Sequence, residues 1–146
     1  MDLSKILFDL PEWSWFSDES RFSAWFGRQV KEKGWMYHKI SDESRGMKPC
    51  DAVFAFEWIH WLIEFKVTAK KNYKPFKMLR WSSVMLPWFQ VKGLTLYQKN
   101  GWLSLVAVYN KSNNTWVLID FRVLLLNPDL VIWDKGIPFK TSIVVN

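Results

Sequence analysis

Asp51, Glu64 and Lys66 are the residues of this 146-residue chain whose types and spacing point to chemistry. Two carboxylates offer hard oxygen ligands to a divalent cation, and a neighbouring ammonium can steady a phosphate or an attacking water. The chemistry this predicts is metal-assisted hydrolysis of a phosphodiester. Competing chemistries are poorly supplied. His38 and His60 are the only histidines and lack HExxH spacing, and neither a GxxxxGK phosphate loop nor a GxSxG nucleophile elbow occurs. Cys50, beside Asp51, reads as a small buried hydrophobe. The bland alternative for the three charged residues is a surface salt-bridge patch. Exposed ion pairs contribute about 0–1 kcal/mol, so stability gives little reason for such an arrangement.

A β-hairpin must position these groups. Two apolar runs, Ala52 to Phe56 and Trp61 to Val67, flank a break bounded by Glu57 and His60. No Asn-Gly or Asp-Gly sets the turn type, so the residue facing Asp51 is either Glu64 or Lys66. Alternation sends Trp61, Ile63, Phe65 and Val67 to one face and Leu62, Glu64 and Lys66 to the other. Either register predicts Asp51, Glu64 and Lys66 on one face.

The remaining elements follow in order. Leu3, Ile6, Leu7 and Leu10 predict a short helix that ends before Pro11. Ser17 to Ser20 supplies N-cap residues for a helix carrying Phe22, Trp25, Phe26 and Val30, with Gly27 inside it and Gly34 closing it. Trp35 to Ile40 reads as an edge strand, and Ser41 to Lys48 as a polar loop leading into the hairpin. Lys70, Lys71, Lys74, Lys77 and Arg80, interleaved with Tyr73, Phe76 and Trp81, form the densest basic stretch. It is either a solvated face or a track for a DNA backbone. Pro87 opens a third helix that carries Gln90 and ends at Asn100-Gly101. Strands at Trp102 to Tyr109 and Thr115 to Phe121 follow, joined by a polar turn. Short terminal elements around Val123 to Leu126, and an edge strand at Thr141 to Val145, complete the chain.

A Pro-x-Asp at Pro49-Cys50-Asp51, followed by an apolar strand bearing Glu64-Phe65-Lys66, resembles the PD-(D/E)XK nuclease superfamily. The succession of a Lys-rich connection, a helix with Gln90, Gly101 and an apolar strand is similar to the Holliday-junction resolvases, especially the RecU-like branch and its phage relatives. The likeness spans roughly Arg21 to Tyr109. It implies an α/β, restriction-endonuclease-like core in which a central mixed β-sheet is flanked by α-helices. It also implies a metal-dependent, structure-selective DNA endonuclease acting on four-way junctions as a homodimer, leaving 5′-phosphate and 3′-hydroxyl ends. Asp51, Glu64 and the backbone carbonyl of Phe65 would hold Mg²⁺, with Mn²⁺ able to substitute, and Lys66 and Gln90 would place the water or phosphate. The family's first-helix acid falls where this chain has Ser23. Glu19, one turn earlier, either takes that part or is an ordinary first-turn acid favoured by the helix dipole. Ser44, Arg45, Lys48, Lys70, Lys71 and Lys74 are the expected DNA contacts. Two other readings stay open: a different PD-(D/E)XK nuclease of repair or restriction type, and a catalytically inactive DNA-binding module with this fold.

Composition sets the bounds. A chain with 49% hydrophobic residues is sized for one domain over residues 1–146. A formal charge of +6 favours a polyanionic partner. One cysteine excludes an internal disulfide framework and suits a reducing cytoplasm, the host's if the chain is phage-encoded. No apolar run approaches a membrane span and no leader is evident, so a soluble protein is expected. For eleven Trp and eleven Phe the choice is between core packing and stacking on bases, and core or interface is expected for most.

Overall fold

A computed structural model of the chain describes residues 3–12, 16–40, 50–70, 88–127, 130 and 142–143. The elements are a 3₁₀ turn Leu3–Ile6, α1 Glu19–Glu32, β1 Met36–Lys39, β2 Ala52–Phe56, β3 Ile59–Thr68, α2 Trp88–Lys99, β4 Leu103–Asn110, β5 Thr115–Asp120, α3 Phe121–Leu126 and β6 Ser142–Ile143. The strands form one sheet in the order β1-β2-β3-β4-β5-β6. β3 pairs antiparallel with β2 and parallel with β4, and β5 pairs parallel with β6, so the sheet is mixed. Each parallel pair needs a crossover, and α2 and α3 lie within those two connections.

Side-chain alternation along the strands makes two different layers. One face carries Phe54, Trp61, Phe65, Tyr109 and Trp116, and α1 packs on it with Phe22, Trp25, Phe26 and Val30. The rings interlock, with Phe22–Phe65 and Phe26–Phe65 centroids both 5.4 Å apart. Burying each such ring contributes about 1.5–3 kcal/mol. The opposite face carries Leu62, Val106, Val108, Val117 and Ile119 beneath Leu94 of α2 and Phe121 and Leu124 of α3.

α1 starts where the sequence predicts, the Asp18 carboxylate accepting from the Arg21 N–H at 2.9 Å. Gly34, at φ +77°, closes the helix in the left-handed region. Gly27 has a packing reason. A Cβ there would lie 2.5 Å from the Tyr37 ring of β1, so only a glycine lets the strand cross at this height.

Several boundaries differ from expectation. β3 begins at Ile59 rather than Trp61, because the turn is the two-residue pair Glu57–Trp58 closed by Phe56 opposite Ile59. Both turn residues have positive φ, 52° and 65°. That is the mirror-image turn that follows strand twist, here built without the usual Asn or Gly and at a cost of about 1 kcal/mol per residue. Phe121 leaves β5 to start α3, since the Asp120 carboxylate caps that helix through the Arg122 N–H at 2.9 Å.

Candidate active site

β3 supplies the centre of the site. With α1 packed on its aromatic face, it buries its charged residues as fully as its apolar ones. Glu64 is 1% exposed and Lys66 5%. The Lys66 Nζ lies 3.4 Å from Glu64 Oε1. This removes the surface-patch reading. A buried ion pair loses several kcal/mol of hydration per ion and is commonly no more stabilising than an apolar pair of the same volume, so fold stability does not account for it.

Asp51 joins the pair by a route that simple alternation misses. Its N–H donates to the Ile63 carbonyl at 3.1 Å. Ala52 also pairs with Ile63, so two residues oppose one and the strand bulges. Next to this bulge the Asp51 Oδ2 accepts the Phe65 N–H at 2.8 Å. Asp51 therefore spans Glu64, bonded through its backbone to Ile63 and through its carboxylate to Phe65. On the other side, the Asp51 carbonyl accepts from the Ile40 N–H at 2.9 Å, which pins the residue to the chain leaving β1. N–H and C=O of one residue point to the same side of an extended strand, so the Phe65 carbonyl also faces the edge that β2 has vacated.

Cys50 completes the wall on the Glu64 side. Its thiol donates to the Ala52 carbonyl at 3.2 Å, and burial first, then the charge of Glu64, pushes its pKa up to about 12. It stays protonated at neutral pH, as a packing residue would and a nucleophile would not. Tyr37 is raised as well, by burial and then by Asp51, and its hydroxyl donates to the Ser23 carbonyl at 3.3 Å.

Ser23 is buried, and its own hydroxyl donates to the Ser20 carbonyl at 3.0 Å, so it serves α1. Glu19 stands in the first turn of α1, the helix on the aromatic face, away from which Glu64 and Lys66 point. Among the described residues no three His, Cys, Asp or Glu side chains gather into a group that could hold a metal ion.

Gln90 belongs to α2, which lies on the Glu64 face. The Leu94 carbonyl accepts from the Ser104 hydroxyl at 3.3 Å, and Ser104 pairs with Leu62. α2 turns directly into β4 at Gly101, so it runs antiparallel to that strand. One turn back from Leu94 is about 6 Å, or about two strand residues. The backbone of Gln90 is thus level with Val106, the partner of Glu64. The Gln90 side chain lies outside the described residues.

Of the expected DNA contacts, Ser44, Arg45, Lys48, Lys71 and Lys74 also lie outside the described residues. Lys70 is exposed, its N–H donating to Thr68 Oγ1 at 3.1 Å. Sequence reasoning missed what holds it. Asn110, fully buried, donates from Nδ2 to the Lys70 carbonyl at 3.3 Å while its Oδ1 accepts from the Ser112 N–H and hydroxyl. An Asn at a strand end reads as a turn residue, and nothing local signals a bond to a segment 40 residues away. Asp120 was missed too. Buried and ion-paired with Arg122 at 2.6 Å, it is committed to capping α3.

No family model matches the chain, and no curated protein is similar to it. Among solved structures, the chain is similar to Hjc of Archaeoglobus fulgidus, a Holliday junction resolvase from an archaeal hyperthermophile. The TM-score is 0.52 at 16% identity, over 70% of this chain and 77% of that one. The fold is restriction-endonuclease-like. At this identity the likeness is one of architecture, α/β with a mixed sheet and flanking helices, as the sequence predicts. Among the described residues no helix is long and apolar enough to cross a membrane.

Proposed function

We propose that the chain is a metal-dependent endonuclease that cuts branched DNA, with four-way junctions as substrate and a homodimer as the working form. The observation that carries this is the buried Glu64–Lys66 pair next to the Asp51 carboxylate, on the central hairpin of a fold shared with a Holliday junction resolvase. The donor set fits a hard cation. Two carboxylates against one ammonium leave one negative charge in a buried place, and the Phe65 carbonyl faces the same edge. Asp51, Glu64 and that carbonyl would hold Mg²⁺, which when bound polarises the phosphate and acidifies water.

The chain's own groups divide the remaining work. The bulge fixes Asp51 by backbone bonds on two sides, so its carboxylate is pre-positioned before substrate arrives. Lys66, drawn to Glu64, holds its charge where negative charge grows on the phosphate. Gln90, level with Glu64, serves as an amide contact for the phosphate or the attacking water. Lys70 and the basic residues after it track the DNA backbone, and a dimer places two such sites for paired cuts.

The test is cleavage of a labelled four-way junction beside a linear duplex of the same sequence, with Mg²⁺ or EDTA, for wild type and Glu64→Gln. Mg²⁺-dependent paired nicking of the junction alone, lost in the variant, is expected. Cutting of both substrates would reassign the protein to a general nuclease of the same fold, and binding without cutting would make it a DNA-binding module.

A further inference from the structure

Trp58 is a side chain that neither local conformation nor packing explains. Among the residues whose side chains are described, every other Trp and Phe is at least partly buried, whereas Trp58 is 101% exposed. It stands at the tip of the β2–β3 hairpin with φ +65°, in a turn position where Gly or Asn is favoured and a bulky residue is strained. The molecule holds an indole in an unfavourable backbone state and gives it nothing inside the fold to touch.

The surroundings select the class of occupant. The neighbouring turn residue Glu57 is ion-paired to Lys5, and His60, two positions along β3, is exposed. A lone ring among polar groups lacks the roughly 800 Å² per partner that a protein interface needs. One ring is sufficient to stack on a base, and a chain of charge +6 brings the polyanion to it. The hairpin also sets a distance. Trp58 and Glu64 are six residues apart along one extended ribbon, about 20 Å at 3.3 Å per residue, which is about six nucleotide steps of 3.4 Å.

Resting on the nuclease reading above, we propose that Trp58 is a base-stacking contact that seats on a base left unstacked at a DNA branch, about six nucleotides from the phosphate held at Glu64. It discriminates branched from continuous duplex DNA, because a regular duplex has no free base face to offer.

The experiment compares wild type, Trp58→Phe and Trp58→Asn for binding in EDTA, and for cutting in Mg²⁺, on a four-way junction carrying 2-aminopurine at the branch and on a linear duplex, alongside thermal melting and sedimentation. Trp58→Asn is expected to bind the junction about 10-fold or more weakly with duplex binding unchanged. Its melting point should rise by about 3 °C, since Asn tolerates the turn. Trp58→Phe should keep most of the affinity and the 2-aminopurine signal. If Trp58→Asn binds the junction like wild type while wild type still cuts it, the stacking role is wrong and the nuclease reading stands. If wild type neither binds nor cuts either DNA, the nuclease reading falls and takes this one with it. If Trp58→Asn turns a dimer into a monomer, the ring serves a second copy and the inference is overturned.

Discussion

The two faces of β3 are equally dry and differently built. On one, Phe65 is fully buried among Phe22, Phe26 and Tyr109, and every ring gains contacts and loses water at once. On the other, Glu64 and Lys66 are buried, with a 3.4 Å ion pair to offset lost hydration. The aromatic face is explained by stability alone. The charged face is not, and that unexplained cost is what supports the proposed site.

Five variants test that contrast, and the largest effect is expected on activity. Glu64→Gln should lower junction cleavage by about 10³-fold, near the upper end for removal of one electrostatic group, while circular dichroism shows an unchanged fold. On the aromatic face, Phe22→Ala should cost about 3–5 kcal/mol in urea unfolding, and the surviving folded fraction should retain cleavage. Lys66→Met alone leaves the Glu64 charge buried without its ammonium and should destabilise by about 3–5 kcal/mol. Adding Glu64→Leu should recover this loss, to neutral or up to about 4 kcal/mol more stable, with no cleavage. A double variant as unstable as the single one would show that the pair is structural. The smallest effect belongs to Gly27→Ala, which drives a methyl into the Tyr37 ring and should cost about 1–3 kcal/mol without changing metal dependence.

The helix with Phe22, Trp25, Phe26 and Val30 was legible because its apolar spacing is a local property, as was the strand alternation that sorts Phe65 from Glu64 and Lys66. The Glu57–Trp58 turn was not. It uses residues with no preference for positive φ, and is held by strand pairing on both sides rather than by its own chemistry. The bulge at Asp51 was equally hidden, since a doubled partner at Ile63 leaves no mark in residue order.

The sequence by itself determined the element order, the central hairpin, and which residues of β3 are charged and which aromatic, because these follow from residue type and a period of two. Tertiary structure decided that Asp51 reaches around the strand edge to Phe65, that α1 takes the face away from Glu64 and Lys66, and that this pair is buried. Burial is a property of what packs over a strand, which residue order within β3 does not record, and it is burial that separates this pair from a surface patch.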